Sequence, residues 1–141
     1  MVYKSYKMKN TLTVIVEKTG TGFSAYAKEI NGLATVGDSL AELKQNFNEV
    51  LTYHIEYLQE QGEASASIDN YDVYYVLDLE QFFDYFSVIN KSAFAEHYVK
   101  MNTSLFRQYT RGLTPLSSDK LKQISEGLHK LADEINGMSL A

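Results

Sequence analysis

The residues best equipped for chemistry lie in one stretch, Met101-Asn-Thr-Ser-Leu-Phe-Arg-Gln-Tyr-Thr-Arg-Gly112. Their spacing predicts a short helix capped by Asn102 or Thr103, whose side-chain oxygen accepts a bond from an orphan amide of the first turn. Gly112 suits the left-handed residue that ends a helix, and Pro115 forbids its continuation. Met101, Leu105 or Phe106, and Tyr109 form the inner face, leaving Thr103, Ser104, Arg107, Gln108 and Arg111 towards solvent. With Asn102 these make a candidate DNA-binding set. Amides, hydroxyls and guanidinium groups on one helix face match base edges and phosphates in a major groove. The same face would also serve an ordinary surface helix, since every soluble helix has a polar side.

Catalytic chemistry finds less support. The chain has no cysteine, which excludes thiolate nucleophiles, thiolate metal sites and disulfides and agrees with a reducing cytoplasm. Metal-dependent nuclease chemistry needs several carboxylates gathered around the ions, and the strand-forming stretches are almost free of acids. Glu17 ends the first, Asp72 starts the last and Asp78 follows it. Asp38 reads as turn and helix-start chemistry rather than as a ligand. Of the histidines, His54 continues the apolar stripe of its helix. His97 and His129 lie in separate helices, with no carboxylate or hydroxyl at a telling spacing. Gly20-Thr-Gly22 is hairpin chemistry, not a phosphate loop. The tyrosines suggest stacking on single-stranded RNA, yet Tyr71, Tyr74 and Tyr75 equally fit strand propensity. The expectation is a protein without catalytic residues, metal or cofactor.

The elements around the candidate helix give it a context. Asn90–Val99 reads as another short helix, with Ser92 as cap and Phe94, Ala95 and Val99 inward. Two short helices joined by so tight a turn describe a helix-turn-helix. Downstream, Ser117 or Ser118 caps a third segment in which Leu121, Ile124, Leu128, Leu131 and Ile135 recur at helical spacing. The turn itself is irregular. A repressor-type motif has a small residue in its first helix, then glycine and an apolar residue at the turn. Taking Met101 as the apolar residue puts Glu96 at the small position and Lys100 at glycine. Taking Ala95 as the small residue puts Val99 at glycine. Neither register fits, so the turn holds an extra residue or is distorted.

The first half has a different period. Thr11–Glu17 and Phe23–Ala27, joined by Thr19–Gly22, predict a β-hairpin. A short strand around Leu33–Val36 follows the Asn31-Gly32 turn. Ser39-Leu-Ala-Glu42 is a capping box opening a helix to about Gln61, where Gly62 stops it. Residues 63–70 read as a loop, Tyr71–Leu77 as a further strand, and Leu79–Phe86 as the first helix of the second part or its connector. The prediction is α+β: a small antiparallel sheet with one packed helix, β-β-β-α-β, over residues 1–79, then an all-α helix-turn-helix domain over 80–141.

At 141 residues the chain suits one ordinary domain or two small ones. No apolar run spans a bilayer, and the basic stretch 1–10 lacks the apolar core of a signal peptide; it reads as a tail or lead-in. Residues 1–87 hold six Lys against thirteen Asp or Glu, net -7, and residues 88–141 are net +2. Such a split lets one end meet nucleic acid and the other a basic protein.

Gly32-Leu-Ala-Thr35-Val-Gly37-Asp38-Ser39-Leu40-Ala-Glu42 resembles the segment Gly-x-x-Thr-x-Gly-Asp-[Ser/Thr]-Leu-x-Glu of the HicB family of antitoxins. In that family it follows a hairpin and leads into a long helix within a partial RNase H-like domain. The likeness covers roughly residues 11–80; Asn31 stands where many relatives have proline. Residues 80–135 resemble the helix-turn-helix module that many HicB proteins carry. The resemblance implies a non-catalytic protein that blocks a small basic mRNA-cleaving toxin, HicA, and represses its own operon at promoter DNA; a cytoplasmic location is expected from the absence of cysteine. A homodimer or higher even oligomer is expected, matching a palindromic site. Without an encoded toxin, the alternative is an orphan regulator or protein-interaction module.

Overall fold

The computed structural model describes residues 9–141, so the lead-in read from residues 1–10 lies outside the described residues apart from Lys9 and Asn10. The chain divides into two compact units, one ending at Asp78 and one running Leu79–Ala141. Among the described residues no helix is long and apolar enough to cross a membrane.

In the first unit β1 (Asn10–Lys18) and β2 (Phe23–Ala27) form the expected hairpin, and β3 (Ala34–Gly37) pairs antiparallel with β2. The chain returns through α1 (Leu40–Glu60), and β4 (Tyr71–Leu77) docks beside β1, giving the order β3-β2-β1-β4. This corrects the expected antiparallel sheet, because β4 runs parallel to β1, with Thr13 opposite Tyr74 and Ile15 opposite Val76. The reason is directional. Two antiparallel pairings leave β3 running the same way as β1, one helix carries the chain back, and the next strand repeats that direction. The unit is thus α+β with a mixed four-stranded sheet.

Leu12, Val14 and Val16 of β1 and Phe23, Ala25 and Ala27 of β2 are buried with Leu43, Phe47, Leu51 and Ile55 of α1. Local contacts set the approach of α1. Ser39 Oγ accepts from the Glu42 amide at 3.1 Å, while Glu42 Oε2 accepts from the Asp38 amide at 3.1 Å, one residue further back than the usual capping box. Asn46 Nδ2 donates to the Val36 carbonyl at 2.9 Å, pinning β3 to the helix. A Cβ on Gly37 would stand 2.6 Å from the Leu43 amide nitrogen, so only glycine permits this junction. At the other end Gly62 takes a φ of 98°, and the Glu63 amide bonds the Leu58 carbonyl. That is the glycine-ended closure its position predicts. The expected loop 63–70 contains one 3-10 turn, Ile68–Asn70, capped by Ser67.

The second unit holds α2 (Leu79–Tyr85), α3 (Lys91–Phe94), a π turn (Ala95–Val99), α4 (Thr103–Thr110) and α5 (Ser118–Asn136). The single helix expected over 90–99 is corrected twice. Its cap is Asn90, whose Oδ1 accepts from the Ala93 amide at 2.9 Å, and not Ser92. After one turn it widens into the π form, Lys100 turns left-handed at φ 60°, and the Met101 amide reaches back to the Ala95 carbonyl. A π turn inserts one residue into a helix. Ala95 and Met101 on either side of the wide turn are buried, and the left-handed Lys100 lies between them.

Packing on the second unit's core explains why the wide turn persists. Gln123 Nε2 of α5 donates to the Val99 carbonyl at 2.8 Å. Gly127 lets α5 approach closely, since a Cβ there would stand 3.2 Å from the Tyr98 carbonyl oxygen. Phe83, Phe94 and Phe106 form a triangle with ring centroids 5.3 to 5.8 Å apart. The apolar stripe of α5 closes this core only along its middle. Ile124 is fully buried and Leu128 and Leu131 are half-buried, while Leu121 and Ile135 remain 48% and 63% exposed.

Candidate nucleic-acid interface

The inner face of α4 rests on Phe106 and Tyr109, both buried, with Leu105 half-buried beside them. This orientation leaves Asn102, Ser104, Arg107, Gln108 and Arg111 exposed and Thr103 half-buried. Three of the six candidates carry bonds within the unit. Asn102 Oδ1 caps α4 by accepting from the Leu105 amide at 3.0 Å. Gln108 Oε1 accepts from Thr114 Oγ1 at 2.7 Å, holding the segment after the helix. Arg107 Nη2 donates to Ser92 Oγ at 2.8 Å, which ties α4 to α3 and gives Ser92 a role other than the capping expected of it. The helix closes with Gly112 at φ 69° and the Leu113 amide on the Gln108 carbonyl.

Arg107 and Arg111 do not face open solvent alone. They line an open groove with Lys91, Asn90, Thr110 and the acidic Glu80 and Asp84 of α2. Both the acidic pair and the arginine pair are spaced four residues apart, so each pair lies along one helix face. A Cβ on Gly112 would stand 3.0 Å from Glu80 Oε2, which puts that carboxylate at the C-terminal end of α4. The charge balance changes accordingly. Residues 88–141 are net +2, but the structural unit begins earlier, at Leu79. At the structural division the second unit gains Glu80 and Asp84 and holds seven cations against seven acids, while the first unit is net -5.

The first unit offers a different kind of surface. Helix α1 covers one face of the sheet, and the other face carries a row that crosses every strand. Val76, Ile15, Tyr26 and Ala34 are consecutive neighbours in the register, flanked by Tyr74 and Val36. Val36 and Tyr74 are 66% and 58% exposed, and Tyr26 and Val76 are also open. On the covered face Tyr75 meets Phe47 edge-on at 6.0 Å, with Lys44 Nζ 5.1 Å from its ring centre, and burial raises the Tyr75 pKa.

Ionisable groups elsewhere act locally. The Glu29 carboxylate accepts from the Thr13 amide at 2.7 and 3.0 Å, and these bonds hold its pKa below the ordinary value. Tyr98 donates to Glu134 Oε2 at 2.7 Å, which raises the phenol's pKa. Asp72 pairs with Lys9 at 3.6 Å. Among the described residues no three His, Cys, Asp or Glu side chains converge on a point that would hold a metal ion.

Sequence reading missed Glu80, Asp84 and Lys91 as members of this site. The spacing of Glu80 and Asp84 was visible, but nothing local indicates which helix they oppose. Comparisons with protein-family models, with curated proteins and with solved structures found no match for this chain.

Proposed function

We propose that this protein is an antitoxin of the HicA/HicB type, acting without chemistry by occupying surfaces. In this reading the first unit covers a small basic mRNA-cleaving toxin, and the second holds the operon's promoter DNA, with two copies on a palindromic site. One observation carries it: an acidic sheet unit with an uncovered apolar face shares a chain with a unit that turns Ser104, Arg107, Gln108 and Arg111 outward. An exposed apolar row of that extent suits protein binding, and surrounding negative charge would speed encounter with a basic partner. The resemblance of residues 32–42 to the HicB segment supports the same reading. So does the buried Ala95, left-handed Lys100 and buried Met101 sequence, which suits a helix-turn-helix with one inserted residue.

The test uses the full chain. Co-expressed with any short basic protein encoded beside its gene, it should co-purify with that protein and suppress its RNA cleavage. Its affinity for the upstream duplex should exceed that for a scrambled duplex. Arg107→Ala should weaken the upstream complex by roughly 1–3 kcal/mol, the range for losing a good base contact. Arg111, nearer the helix end, is assigned to phosphate, so Arg111→Ala should weaken all duplexes alike and flatten the salt dependence. If the neighbouring protein does not bind, the antitoxin reading fails; preference for the upstream duplex alone would leave an orphan regulator.

A further inference from the structure

We infer that Glu80 and Asp84 of α2 set the DNA affinity of this protein by opposing the arginines of α4 from within their own groove. The inference rests on the DNA-binding reading above and adds to it residues that touch no base. Glu80, Asp84, Arg107 and Arg111 line one groove, and all four are exposed. A phosphate drawn to Arg107 or Arg111 therefore enters the field of two carboxylates. Glu80 is the more telling of the pair. Its carboxylate lies against Gly112, at the C-terminal and negative end of α4, where an anion is disfavoured by the helix dipole. Among the described residues it stands in no ion pair with Arg111. Its charge is thus not consumed by the neighbouring guanidinium and remains to repel a phosphate. With seven cations against seven acids, the unit has no surplus of charge to mask this local repulsion. The consequence is weak binding by a single copy, so that occupancy depends on two copies engaging one site.

The experiment measures duplex binding by fluorescence anisotropy at several salt concentrations, using the full chain and the labelled upstream duplex. Glu80→Gln keeps the side-chain shape and removes the charge. It should tighten binding roughly two- to fivefold at low salt, the effect of one charge about 8 Å from a phosphate in high dielectric. The gain should shrink as salt is raised. Asp84→Asn should act in the same direction, and the double variant should bind more tightly than either. Glu126→Gln, on α5 and outside the groove, makes the same change in net charge and should have little effect. Equal gains from Glu126→Gln would assign the effect to overall charge and overturn the inference. Unchanged or weaker binding by Glu80→Gln, with wild type still binding, would overturn it as well and leave the DNA-binding reading intact. If neither wild type nor Glu80→Gln binds the duplex at low salt, the DNA-binding reading itself falls and carries this one with it.

Discussion

Lys100 has a backbone that its side chain does not favour. At φ 60° a residue with a Cβ is disfavoured by about 1–2 kcal/mol, whereas glycine enters this region freely and loses some of that advantage through its floppier unfolded state. Lys100→Gly should therefore raise stability by up to about 1 kcal/mol, read as a higher urea midpoint. A lower midpoint would mean that the lysine side chain does something the backbone geometry does not reveal. Glu29 gives a pH signature of opposite origin. Its carboxylate is favoured in the folded state by the Thr13 amide, so its folded pKa lies below the ordinary 4.5. A lowered pKa means stability that is present above 4.5 and lost as pH falls through the folded value. Wild type should lose stability more steeply than Glu29→Gln as pH drops below about 4.5. Denaturant titrations with matching pH slopes for the two would rule this out.

At the level of elements, each junction has one residue that decides how close its neighbours come. Gly37 does this between β3 and α1, where a methyl group would meet the Leu43 backbone at 2.6 to 2.7 Å. The obstacle is main chain within a helix, which cannot swing aside. Gly37→Ala should destabilise the first unit by about 1–3 kcal/mol, the range for forced overpacking, with a visible loss of cooperativity in its unfolding. A neutral result in thermal unfolding would show that β3 can slide along its edge position. In the second unit Gly127 and Gln123 have matching tasks, one admitting α5 to the π turn and the other satisfying the Val99 carbonyl.

Each unit has its own core, and the two clusters of buried residues share no member. Destabilisation should then stay within a unit. Phe106 is fully buried and belongs to the Phe83–Phe94–Phe106 triangle. Phe106→Ala should cost about 3–5 kcal/mol, the usual range for a buried aromatic cut to alanine. In calorimetry the transition of the second unit should move down or vanish while that of the first stays in place. A shift of both together would mean that the units unfold as one. Charge is also organised at this scale. Placing α2 with the second unit turns an apparent +2 into an even balance of seven cations and seven acids.

The sequence alone determined the features that depend on neighbours a few positions away. The cap Ser39, a cap at Asn102 or Thr103, the helix-ending Gly62 and Gly112 and the hairpin turn are local, because the groups that satisfy one another lie within one or two turns. The extents of β2 and β4 were legible from strand propensity and flanking turn residues. The irregular spacing between Ala95 and Met101 was visible too, as a misfit without a shape. Tertiary structure decided the rest. The parallel docking of β4 depends on where a 21-residue helix returns the chain. The π form depends on Gln123 and Gly127, contributed by α5 from more than twenty residues downstream. Ser92 met Arg107 instead of capping its own helix, and Glu80 and Asp84 came to face Arg107 and Arg111, because α2, α3 and α4 pack on shared phenylalanines. None of these pairings has a local signal, since side chains far apart in sequence are brought together only by burial of the apolar faces that carry them.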